Sequence, residues 1–182
     1  MSLKKFVIIP LIIAVLAFAI QVLDNLVAPC MPLENKGLSW ICFQSWAVYF
    51  FAGGTVKGGI KSLIGYAIGI VISIAIISWG TASFMSPFGS FAVPIAVGIV
   101  AGLVIFLERN DWTSSVPAIF IGAGAFFAFM NYVVPEDLTL TVCEQFRIAA
   151  ITEIIYCFIG LAFGFITVTL RVMYENKVNK KQ

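Results

Sequence analysis

The sequence predicts an all-α integral membrane protein, and three observations carry that reading. Of its 182 residues 61% are hydrophobic and only 11% charged, with a mean hydropathy of +1.04; so much apolar surface does not fit inside a water-facing skin. The apolar residues fall into six runs of roughly 17 to 23 residues, each long enough as a helix to cross a hydrocarbon core of about 30 Å. The breaks between the runs hold proline, glycine and charge, the residues that end helices or stay in water.

Taken in order, the predicted transmembrane helices are 6–27, 38–55, 59–79, 91–107, 115–134 and 148–170, in one transmembrane domain spanning 1–182 with a basic cytoplasmic tail at 171–182. Pro29, Pro32, Glu34 and Lys36 close the first run, and Gly53, Gly54 and Lys57 the second. Ser86, Pro87 and Gly89 part the third from the fourth, residues 108–111 end the fourth, and Pro135, Glu136 and Asp137 end the fifth. Lys4 and Lys5 before an apolar stretch resemble a secretory signal, but the stretch is too long for a signal core and Pro29 is a poor neighbour for a cleavage point, so this helix is expected to be retained.

Lysine and arginine in short loops report orientation, because cytoplasmic flanks keep positive charge during insertion. A six-pass chain places nine of them on one side (Lys4, Lys5, Lys57, Lys61, Arg109, Arg171, Lys177, Lys180 and Lys181) and only Lys36 and Arg147 on the other. Both termini are therefore expected in the cytoplasm, with Asp24, Glu34, Glu136, Asp137 and Glu144 outside. The net charge of +2 is a topology signal and not a nucleic-acid footprint.

Four cysteines and no histidine narrow the chemistry. Zinc, haem and imidazole relays depend on histidine or on clustered thiolates, so no metal and no cofactor is expected. Cys42 and Cys157 read as small packing residues, while Cys30 and Cys143 fall in outer loops, where an oxidising compartment would let them pair or leave them as thiols. Glycine-rich phosphate loops are absent, and no Ser or Cys has a histidine to activate it; the chain is not expected to be an enzyme.

Glu153 is the residue that most invites a mechanism, because it is a lone carboxylate inside the last apolar run and charge at that depth is expensive unless it faces protein or water. Three small-xxx-small pairs, Gly65 with Gly69, Gly98 with Gly102 and Gly160 with Gly164, read as close helix contacts. Glu153, Cys157, Gly160, Gly164 and Thr167 recur at steps of four, three, four and three, which puts them on one helical face. Gly58, Ser62, Gly65, Gly69 and Ile72 repeat that spacing 95 positions earlier, and Phe50, Phe51 and Ala52 match Phe126, Phe127 and Ala128. These matches suggest two inverted three-helix repeats, unless glycine- and phenylalanine-rich helices match by accident.

The remaining polar candidates are Gln44 and Ser45, set among Trp40, Phe43, Trp46 and Tyr49, where with Glu153 they would supply hydrogen bonds along an aromatic-lined path. Lys57 and Lys61 read either as an anion-attracting mouth or as snorkelling topology signals, and Pro94 and Pro117 as kinks or first-turn prolines.

Leu38-Ser39-Trp40 followed by Phe43, Tyr49, Phe50, Gly54, Lys57 and Gly58, then Val116-Pro117, Phe120-Ile121-Gly122 and Phe127, resembles the pattern of the DUF1097 family of small bacterial inner-membrane proteins. The resemblance implies a multi-pass protein of a bacterial cytoplasmic membrane and brings no activity or binding residues with it. Function is thus expected from the residues themselves: a channel or facilitator for a small polar solute, homo-oligomeric in the lipid bilayer, with one path per protomer lined by Glu153, Gln44 and Ser45. The alternatives are a proton-coupled secondary transporter using Glu153 and a non-transport scaffold or accessory subunit. A purely structural role for Glu153, capping or bonding a neighbouring helix, also stays open.

Overall fold

The structure is a computed structural model that describes residues 6–31, 38–133 and 140–180. Lys4, Lys5, Pro32, Glu34, Lys36, Val134, Pro135, Glu136, Asp137 and Lys181, which enter the arguments from breaks and charge, lie outside the described residues. Among the described residues the chain is helical throughout and has no strand: α1 (Ile8–Val27), α2 (Ser39–Phe51), α3 (Val56–Gly80), α4 (Ala92–Val104), α5 (Val116–Tyr132) and α6 (Val142–Asn179), with short 3-10 turns between them. Among the described residues four stretches are long and apolar enough to cross a membrane, Ile8–Cys30, Val56–Gly80, Ser83–Arg109 and Val142–Asn179, while α5 is a shorter apolar helix. The protein is a helical membrane protein.

Helix ends follow local chemistry. α2 stops at Phe51, short of residue 55, because Gly53 (φ 84) and Gly54 (φ 63) turn left-handed. The Gly53 amide then donates to the Phe50 carbonyl and the Gly54 amide to that of Tyr49, each at 3.0 Å, the paired reverse bonds that satisfy a helix C-terminus. α6 is 38 residues long, well beyond the expected run at 148–170. Its start is fixed by a capping box: the Thr141 amide donates to Glu144 at 2.8 Å, and the Glu144 amide to the Thr141 hydroxyl at 3.3 Å. Its far end is extended by the Arg171–Glu175 pair at 2.9 Å and by Lys177 in the last turn, so the tail continues the helix. At about 57 Å, α6 is longer than any bilayer core and its ends project beyond it. Pro117 occupies the first turn of α5, where its missing N–H has no partner to lose.

The chain forms two compact units. The first comprises residues 1–59 and 155–182, hence α1, α2 and the later part of α6; the second comprises 60–154, hence most of α3, then α4, α5 and the start of α6. In the first unit Ile20, Leu38, Ile41, Val48, Tyr49 and Tyr156 are buried, while Leu11, Val15, Phe18, Val22 and Leu26 form an exposed apolar stripe along α1. An apolar face turned outward is the membrane pattern, the reverse of a soluble helix. In the second unit Tyr66, Ala96, Ala118, Ile119, Phe126 and Phe129 are buried, and Phe126 and Phe146 pair with ring centroids 6.0 Å apart.

Glycine seams close both units. In the first, a methyl group on Gly160 would collide with the Ser45 hydroxyl and the Cys42 carbonyl, and one on Gly164 would lie 2.6 Å from Tyr49 Cβ. In the second, a methyl group on Gly65 would lie 2.7 Å from Ala118 Cβ, and one on Gly69 2.5 Å from the Ala123 amide. Helices that approach this closely gain dispersion contacts where lipid offers no hydrophobic driving force. Gly98 and Gly102 behave differently: both are exposed, and nothing lies within 4 Å of an added methyl at either. They are not a packing seam among the described residues.

Candidate functional site

Glu153 sits in α6 between Thr152 and Ile154 and is completely buried, with 0% of its surface exposed. Neither carboxylate oxygen has a hydrogen-bond partner among the described residues. Ala149 and Thr152, within one turn of it, are buried too. The whole stripe read from the sequence, Glu153, Cys157, Gly160, Gly164 and Thr167, is buried, which fixes the face of α6 that meets protein. A bare carboxylate in such surroundings is unstable by several kcal/mol, so the site favours whatever neutralises it.

The other expected path residues have different surroundings. Ser45 is buried, but its hydroxyl lies 3.0 Å from the Ile41 carbonyl and 3.1 Å from that of Cys42, committed to the backbone of its own helix. Gln44 is exposed on α2. Both belong to the first unit and Glu153 to the second. Lys61 forms an ion pair with Asp111, which accounts for its position without an anion-binding mouth. Cys30 and Cys143 are exposed thiols, Cys30 in the first unit and Cys143 in the second.

Sequence reasoning missed a polar cluster in the first unit. Asp24, assigned there to the outer acidic group, is buried in α1 at 6% exposure and accepts a hydrogen bond from the Tyr156 hydroxyl at 2.6 Å. The Gln21 amide donates to the Ser39 hydroxyl at 2.9 Å, and the Cys42 thiol lies 3.2 Å from the Tyr156 carbonyl. A signal was present: Asp24 is the one acid inside the first apolar run, 6–27, as Glu153 is in the last. Trp46 is a second surprise, its ring packed between Phe43 at 5.9 Å and Phe163 at 6.4 Å, with the indole N–H buried and unpartnered among the described residues.

Among the described residues the surface holds open cavities. One of about 440 Å³ is lined by α1 residues Ile9 and Ile12, by Phe50, and by Thr167, Val168 and Arg171 of α6. Another of about 410 Å³ is lined by Gly102, Ile105, Phe106, Glu108 and Arg109. Glu153 lines neither.

The family described as "Protein of unknown function (DUF1097)" matches residues 7–171, almost the whole chain. The chain belongs to the DUF1097 family. Its match covers α1 to α5 and carries through α6 as far as Arg171, so both buried carboxylates lie within the family region. No curated protein and no solved structure matches the chain.

Proposed function

We propose that the protein is a multi-pass transporter for a small polar solute in which Glu153 takes up and releases a proton. The single observation that carries this reading is the burial of both Glu153 oxygens without a partner among the described residues. A buried carboxylate whose role were structural would be bonded by a donor, as Asp24 is by Tyr156. Left bare, it binds a proton when closed off and gives it up when water reaches it, which is the property a coupled carrier needs.

Topology enters the same proposal. In this reading α2 and α5 add two crossings to the four longer spans, and the nine-to-two distribution of basic residues supports cytoplasmic termini in a bacterial inner membrane. The matching stripes in α3 and α6, with Gly58, Ser62, Gly65 and Gly69 buried like Glu153, Cys157, Gly160 and Gly164, support two inverted three-helix halves. The exposure of Gln44 on α2 removes one of the three residues expected to line a passive path.

Reconstitution of the full chain in liposomes tests this. With an imposed pH gradient, uptake from a panel of small polar solutes is expected to depend on the gradient, to collapse with an uncoupler, and to be lost in Glu153→Gln. Uptake that ignores both the gradient and the substitution identifies a facilitator, and absence of flux for every solute identifies a scaffold.

A further inference from the structure

α4 buries only one side of itself. Ala92, Ala96 and Val104 face the protein, while Val93, Val97, Gly98, Ile99, Gly102 and Leu103 are exposed. Along the exposed side the backbone is bare at Gly98 and again one turn later at Gly102, with open space at both. Gly102, Ile105, Phe106 and the neighbouring charges Glu108 and Arg109 line the 410 Å³ notch. Neither charge is in an ion pair among the described residues, although both are exposed.

We propose that this notch and helix face dock a second copy of the chain, α4 against α4, about a two-fold axis along the membrane normal. Charge complementarity selects that occupant. Copies of a membrane protein insert in the same orientation, so a two-fold axis brings equal depths together and sets Glu108 of one protomer opposite Arg109 of the other, twice over. The bare backbone at Gly98 and Gly102 lets the two helices approach closely, and Phe106 supplies the bulk that fills the partner's notch. The inference stands independently of the transport reading, because it uses no residue of the Glu153 site.

Oligomeric state, measured by single-molecule photobleaching of labelled protein diluted into liposomes, tests it. Wild type is expected to dimerise, and Gly102→Leu to weaken the dimer by about tenfold or more through loss of close approach. Should Gly102→Leu misfold, the charges decide alone. Glu108→Arg and Arg109→Glu are each expected to weaken association several-fold by setting like charges opposite one another, and the double exchange to restore it to within about twofold. A monomeric wild type at all dilutions overturns the proposal, as does a wild-type monomer that retains a bound lipid released by Gly102→Leu. So does a dimer indifferent to Gly102→Leu, or single exchanges whose combination restores nothing.

Discussion

Asp24 and Glu153 are both carboxylates buried in apolar helices, and the chain treats them in opposite ways. Asp24 accepts a 2.6 Å hydrogen bond from Tyr156, one link of a polar cluster that also holds Gln21, Ser39 and Cys42. Glu153 is more deeply buried and has no partner for either oxygen among the described residues. In a medium without water a polar group needs a partner, so the bonded carboxylate reads as architecture and the unbonded one as a working group. Sequence position does not separate them, since each is a single acid in an apolar run; what differs is what the fold brings to it.

The largest effect that would break this contrast is on transport. Glu153→Gln keeps the size and removes the titrating group, and is expected to lower gradient-driven solute uptake more than about tenfold, a barrier change of roughly 1.4 kcal/mol or more. Next comes Tyr156→Phe, which leaves Asp24 buried without its donor. Thermal unfolding in detergent is expected to show a loss of about 1–3 kcal/mol, whereas wild-type stability would mean that the hydrogen bond does not hold the cluster.

Glu153→Leu sharpens the same contrast from the other side. Replacing an unpartnered buried carboxyl by an apolar side chain is expected to leave stability unchanged or raise it by about 1 kcal/mol; a clear loss would reveal a structural partner. The smallest effect is the exposed control. Glu175→Gln, which removes the Arg171 pair at the end of α6, is expected to change stability by no more than about 0.5 kcal/mol.

Much of the fold was legible beforehand because membrane helices are written in local signals. Each of the six apolar runs overlaps a helix, and the buried stripe on α6 follows from spacing alone. Helix ends were less legible. The reverse bonds at Gly53 and Gly54 shorten α2, and the capping box at Thr141 with the Arg171–Glu175 pair lengthens α6 into polar sequence that hydropathy discards. The candidate site was legible only in part. Glu153 stood out as a charge in an apolar run, but Gln44, equally polar in its surroundings, is exposed, because the rotation of α2 is set by the packing of Cys42, Ser45 and Tyr49 against Gly160 and Gly164. The three glycine pairs look alike in sequence, yet among the described residues only two meet a neighbouring helix.

The sequence by itself determined that this is a helical membrane protein of the DUF1097 family, where its apolar runs break, and which face of α6 turns inward. Those properties depend on hydropathy and on a period of 3.6 residues, both readable within a window of one helix. Tertiary structure alone decided that Asp24 finds Tyr156, 132 positions away, that Glu153 is buried without a partner among the described residues, and that Gly98 and Gly102 face outward. Whether a polar group is satisfied, or a small residue packed, is a property of pairs in space, and no local pattern along the chain contains it.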